Sequence, residues 1–237
     1  MNNFPPQMIN KQPDFHSDAY RDAYSRINGV VVIGETLADR HFRSLAKSIP
    51  DDHDLLLSLA AMESRHAVDF VGCGRNLSIR ADTSLARKLF DPLHKLFQEC
   101  EHNGNLAGCL VIQGLIIESF AIAAYQEYLP VADPYAQPIT ELVLHDEEQH
   151  INYAECWLKA HFKEAKNEVS SICSKALPIT LSILQTLTND MRTIGMNPIE
   201  LIASFSERFQ SALETVGYKG SSARRLIMRS TLSVPLT

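Results

Sequence analysis

The residues best suited to chemistry are two Glu-x-x-His patterns, Glu63/His66 and Glu147/His150, and two isolated glutamates, Glu35 and Glu118. Residues i and i+3 share one face of a helix, so each pattern aims a carboxylate and an imidazole at the same point. Hard carboxylate oxygens beside an imidazole nitrogen suit iron or manganese. Such short patterns also arise by chance, so spacing has to carry the argument. Glu35 precedes Glu63 by 28 residues and Glu118 precedes Glu147 by 29, with chain-reversing segments near the midpoints at Pro50-Asp51 and Pro130 to Asp133. Two antiparallel helices joined at such a point hold their carboxylates at the same height. One Glu from each of two helices, plus Glu-x-x-His from each of two more, is the donor set of a carboxylate-bridged two-metal site. Two divalent cations neutralise four carboxylates, which in an apolar bundle would otherwise be very costly. A third pattern, Glu99/His102, runs into the Asn103-Gly104 break and reads as a solvated helix end.

Further candidates surround these six. Asp146, next to Glu147, is placed to accept the second N–H of a ligand histidine. Arg65, between Glu63 and His66, is a partner for Asp146. Tyr125, seven residues after Glu118, falls on the same face as a hydrogen-bond or proton donor. Cys73, seven beyond His66, lies on the ligand face of its helix. Gly114 and Ala121, one turn either side of Glu118, leave room for an apolar substrate, a glycine there suiting tight helix packing equally well, with Ile117 and Gln113 on the same stretch of helix.

The elements that must position these residues are helices. Apolar residues recur at i, i+3, i+4 and i+7 between breaker clusters, and no long alternating stretch suggests a sheet. The pattern predicts helices over 18–48, 52–75, 83–102, 106–129, 135–161, 163–193, 198–216 and 222–232, an all-α antiparallel bundle. Asp51 or Asp52, Asp82 (or Thr83 or Ser84) and Asn197 are the expected caps of the second, third and seventh helices. A proline at Pro138 is expected to kink its helix or move its start. From Leu106 to Tyr125 the strongly polar residues are Gln113 and Glu118. That length could nearly cross a bilayer, but a central carboxylate argues for a helix buried in protein.

A chain of 237 residues with 45% hydrophobic composition suffices for one large core. Its net charge of -6 speaks against nucleic acid. Five cysteines without a C-x-x-C pair fit a reducing cytoplasm better than a disulfide framework. The polar, Pro-containing start does not read as a signal peptide. Residues 1–16 are expected to be a flexible arm and 17–237 a single domain.

The runs "DAYSRIN", "MESRH", "CGRNLS", "QGLIIESFAIAAYQEYLPVAD" and "DEEQH" resemble the cyanobacterial aldehyde deformylating oxygenase (aldehyde decarbonylase) family. The similarity covers about residues 14–218, and its "LIIESFAIAAY" stretch is the specific part. The resemblance implies a ferritin-like fold and two iron ions on Glu35, Glu63, His66, Glu118, Glu147 and His150. It implies a carbon–carbon lyase that turns a long-chain fatty aldehyde and O2 into formate and an alkane one carbon shorter. It further implies ferredoxin as electron donor, an acyl-carrier-protein reductase as aldehyde supplier, a near-metal tyrosine at Tyr125 and a reactive cysteine at Cys73. Ile33, Gly114, Pro134, Pro138, Gly220-Ser221-Ser222 and the final "STLSVPLT" depart from the family pattern. Two rivals share the Glu-x-x-His signature. One is a ferritin-type iron store, which would form a cage, and the other is a radical-generating di-iron subunit using Tyr125. An inactive structural bundle is a third.

Overall fold

The computed structural model describes residues 12–231. The expected arm falls largely outside them, as does the end of the departing C-terminal segment. The described residues form nine helices and no strand. They are α1 (Asp18–Ser48), α2 (His53–Asn76), α3 (Thr83–His102), α4 (Leu106–Leu110, Val111–Ile117 and Glu118–Tyr128 in one continuous rod), α5 (Ala136–Ala160), α6 (Phe162–Thr186), α7 (Thr188–Thr193), α8 (Pro198–Val216) and α9 (Gly220–Thr231). The buried apolar side chains make one continuous core, from Tyr20 on α1 to Ala223 on α9.

Local chemistry explains most boundaries. The Ser17 hydroxyl accepts from Tyr20 N at 3.3 Å and starts α1. Asp82 caps α3 by accepting from Ser84 N and Leu85 N, and Asn197 caps α8 ahead of a first-turn Pro198. The cap expected at Asp51 or Asp52 does not form. A 3₁₀ turn, Pro50–Asp52, links α1 to α2, and the Asp52 carboxylate instead accepts from the Tyr153 hydroxyl at 2.9 Å. Pro138 does not kink α5. It sits in the first turn, where its missing N–H would have had no intrahelical partner, while Asp133 accepts from Tyr135 N and Ala136 N.

Two other expectations change. The helix expected over 163–193 is two, broken at Leu187 between Thr186 and Thr188. Threonine is a weak helix former; Leu184, Leu187 and Met191, spaced i, i+3 and i+7, still line one cavity across the break. Arg26 of α1 then grips α7 through two hydrogen bonds to Asp190, at 2.7 and 2.9 Å. The middle of α4, Val111–Ile117, winds as a π-helix, a wider coil that accommodates an extra residue. The apolar run is long enough to cross a membrane but is 83% buried inside the protein, between the helices that surround it.

Candidate metal centre and substrate cavity

Glu35 comes from α1, Glu63 and His66 from α2, Glu118 from α4, and Glu147 and His150 from α5. The structure brings all six together, each no more than 5% exposed. Donor atoms of Glu35, Glu63, His66 and Glu147 lie within 4.8 Å of one another, and so do those of Glu63, Glu118, Glu147 and His150. Glu63 and Glu147 belong to both groups. Glu63 turns Oε2 toward His66 Nδ1 (3.5 Å) and Oε1 toward His150 Nδ1 (2.9 Å). Glu147 turns Oε1 toward His66 (3.5 Å) and Oε2 toward His150 (2.9 Å). Glu35 faces only His66 (3.5 Å), and Glu118 only His150 (3.7 Å). Around a pair of cations, Glu63 and Glu147 would be placed to serve both ions, and Glu35 and Glu118 one each.

The donors fit a pair of cations on physical grounds. On the faces turned into the cluster, His66 Nδ1, both Glu63 oxygens and Glu147 Oε1 are buried without a hydrogen bond. Three carboxylates stand 3.5 Å from His66 Nδ1, too far to hydrogen-bond well but near the spacing of donors that share an ion. Without cations, protons hold the cluster together. Burial, with the charges of Glu63 and Glu147, raises the Glu35 carboxyl well above its ordinary range. Burial, with Glu147 and Glu63, does the same to Glu118. Burial opposes a charged His66, yet the carboxylates of Glu147, Glu35 and Glu63 that face its Nδ1 push it up to about 12. His150 rises in the same way, against its burial, through Glu118, Glu147 and Glu63. Burial would raise Glu147, but the two imidazoles outweigh it and hold this carboxyl below its ordinary range.

The flanking candidates separate. Asp146 Oδ2 lies 3.2 Å from His66 Nε2 and 2.5 Å from Arg65, so it orients the ring whose Nδ1 faces the glutamates. The Tyr125 hydroxyl donates to Glu35 Oε1, on the opposite side of the cluster from its own helix partner Glu118. Cys73 is fully buried beside Tyr24, Asp69 and Asp133, and burial pushes its thiol up to about 12. It does not line the cavity described next, so neither access nor acidity favours the reactive role. Glu99 and His102 are exposed at the end of α3.

A narrow cavity of about 70 Å³ abuts the cluster. Glu35, Glu63, Glu118, Glu147, Gln113 and Tyr125 form its polar end. Its walls are apolar, with Ile27, Val30, Val31 and Phe90 on one side and Ile117, Phe120, Ala121 and Ala124 on another. Leu184, Leu187, Met191, Met196 and Leu201 form a third side, and Gly34 and Ala38 complete the lining. Of the four expected channel residues, Gln113, Ile117 and Ala121 line it. Gly114 does not. A Cβ there would stand 2.3 Å from the Ala154 Cβ, so its missing side chain lets α4 press against α5 rather than making room for substrate.

Sequence reasoning missed the role of Gln113. Its Nε2 donates to Glu118 Oε1 at 2.8 Å, and its Oε1 meets His41 Nδ1 at 2.6 Å. A residue five positions before Glu118 lies off its face in an α-helix and returns to it in the wider π turn. The isolated polarity of Gln113 in an apolar run was the signal available.

A sequence model of the long-chain fatty aldehyde decarbonylase family matches residues 17–233. This chain belongs to that family. Among solved structures, a protein from Synechococcus described as having aldehyde deformylating oxidase activity is 60% identical, with a TM-score of 0.91, over 91% of this chain and 99% of that one. The decarbonylase family is the one that the residue runs resembled, and its membership replaces the iron-store and radical-subunit readings.

Proposed function

We propose that this decarbonylase converts a long-chain fatty aldehyde, O2 and reducing equivalents into formate and an alkane one carbon shorter. Two iron ions would be held by Glu35, Glu63, His66, Glu118, Glu147 and His150. The observation that carries the reading is the six-donor cluster at the polar end of an otherwise apolar cavity. Iron would supply the one-electron chemistry with O2 that side chains lack.

The chain's own residues do the rest. The apolar walls take the hydrocarbon tail, at about 0.8 kcal/mol for each buried CH2, and leave the aldehyde head at the carboxylate end. Fixing the head there supplies proximity. Tyr125 holds a proton on its hydroxyl next to Glu35, within the cavity lining, and burial keeps that phenol protonated. Asp146 fixes the tautomer of His66, and Arg65 fixes Asp146. Ferredoxin as the electron donor, an acyl-carrier-protein reductase as the aldehyde supplier and a cytoplasmic setting complete the proposal. They rest on the family and, for the setting, on five free cysteines.

The test is product analysis. Protein loaded with Fe(II) and supplied with a long-chain aldehyde, O2 and a reductant should release formate and the shortened alkane in equal amounts. Oxidation to the fatty acid, without formate, would overturn the reading.

A further inference from the structure

A buried polar chain approaches the cluster from the side of α3. His41 on α1 is 2% exposed, and its ring stacks on Phe97 with centroids 3.7 Å apart. Its Nδ1 meets Gln113 Oε1 at 2.6 Å, and its Nε2 meets Nδ1 of the half-buried His94 at 2.9 Å. Gln113, fully buried, continues the chain to Glu118 Oε1. No metal donor role uses these three residues.

The direction of every hydrogen bond follows from the last one. A carboxylate that ligates a cation only accepts hydrogen bonds. The Gln113 amide must therefore turn its NH2 to Glu118, because the flipped amide would set oxygen against oxygen. Its carbonyl oxygen then needs a donor, which is His41 Nδ1–H. Burial holds His41 neutral, lowering it to about 3, so the ring has a single N–H and its Nε2 accepts from His94 Nδ1–H. All three bonds point toward Glu118.

The other half of the centre uses a different device for the same end. Tyr125 donates to Glu35 Oε1 and leaves Oε2 facing His66, while Asp146 holds the far nitrogen of that ring. His150 has no such partner on Nε2. The geometry points to Gln113, held by His41, as the positioning residue of the second metal position: it occupies Oε1 of Glu118 and reserves Oε2 for the ion shared with His150. The inference rests on the two-metal reading above. Its consequence is asymmetric, since breaking the chain weakens one metal position and leaves the other intact.

The experiment is anaerobic titration of the full chain with Mn(II) against a competing chelator, followed by electron paramagnetic resonance. Wild type should bind two ions as a spin-coupled pair. Gln113→Leu should bind the first ion with unchanged affinity and the second on the order of 10–100-fold more weakly, so that a mononuclear Mn(II) signal dominates at intermediate loading. His41→Leu should behave like Gln113→Leu. His41→Asn keeps an N–H donor near the position of Nδ1 and should restore the coupled pair, although it loses the link to His94. Two tight ions in Gln113→Leu and His41→Leu would overturn the assignment, as would equal weakening of both ions. His41→Asn behaving like His41→Leu would overturn the orienting role of His41. Wild type that binds fewer than two ions would instead sink the two-metal reading on which the inference stands.

Discussion

At the scale of residues, the centre divides its carboxylates by position rather than by type. Glu63 and Glu147 face both imidazoles, whereas Glu35 and Glu118 each face one. Removing a bridge should therefore cost more metal than removing a terminal ligand. Glu118→Ala is expected to retain about one ion per chain and Glu63→Ala close to none, read by elemental analysis after desalting. Full occupancy in Glu118→Ala would refute the donor set. Cys73 makes the opposite case. Its buried thiol does not line the cavity at the cluster, and burial raises it so that it stays protonated. Cys73→Ser should leave metal content unchanged and cost about 1–3 kcal/mol for a hydroxyl buried in place of the thiol. Turnover should fall only a few-fold. An iron-replete Cys73→Ser protein with no activity would assign the thiol a chemical role.

At the scale of elements, α4 decides both what is bound and how tightly the bundle closes. Ala121 lines the cavity and Gly114 meets Ala154, so two small residues of one helix have different purposes. Ala121→Phe should keep its metal and lose turnover of long aldehydes far more than of short ones, because only the tail is blocked. Equal losses for both lengths with a lowered melting temperature would mean overpacking instead. Gly114→Ala should destabilise by about 1–3 kcal/mol, since neither Cβ can retreat along a helix backbone. A melting curve that matches wild type would show that α4 and α5 separate freely. These two residues also mark the reach of the sequence. The donors were legible because helical periodicity and the two hairpin lengths fix where a side chain points. Ala121 followed the same rule. Tight packing at Gly114 was one of two readings a glycine allows, whereas the Gln113 contact was hidden, because the π turn shifts the phase of the residues before Glu118 and no residue type announces that winding. The break at Leu187 was equally silent, having neither glycine nor proline to mark it.

For the whole molecule, the cluster ties stability to pH and to metal. In the metal-free protein, Glu35, Glu118, His66 and His150 all hold protons more tightly when folded. Such groups stabilise fully below their ordinary values, 4.5 for the glutamates and 6.5 for the histidines, and the contribution is lost as pH rises through the folded values. Glu147 acts in reverse, contributing above 4.5 and losing its contribution as pH falls. From about pH 6.5 upward the raised groups dominate, so metal-free protein should melt lower as pH rises toward the His66 value of about 12. Metal displaces those protons, so its stabilising effect should grow over the same range. Melting temperatures with chelator and with Fe(II), compared at about pH 7 and about pH 9, check this. A gap that narrows with pH would contradict the shared-proton account. The same six donors all lie between Glu35 and His150, whereas Leu184, Leu187, Met191, Met196 and Leu201 of the cavity wall come later in the chain. A bound metal pair is thus a removable cross-link, one that closes the first five helices into a loop and leaves the last four outside it. The cavity wall that α6, α7 and α8 supply lies outside that loop, so the residues that meet the hydrocarbon on this side are not themselves tied by the metal.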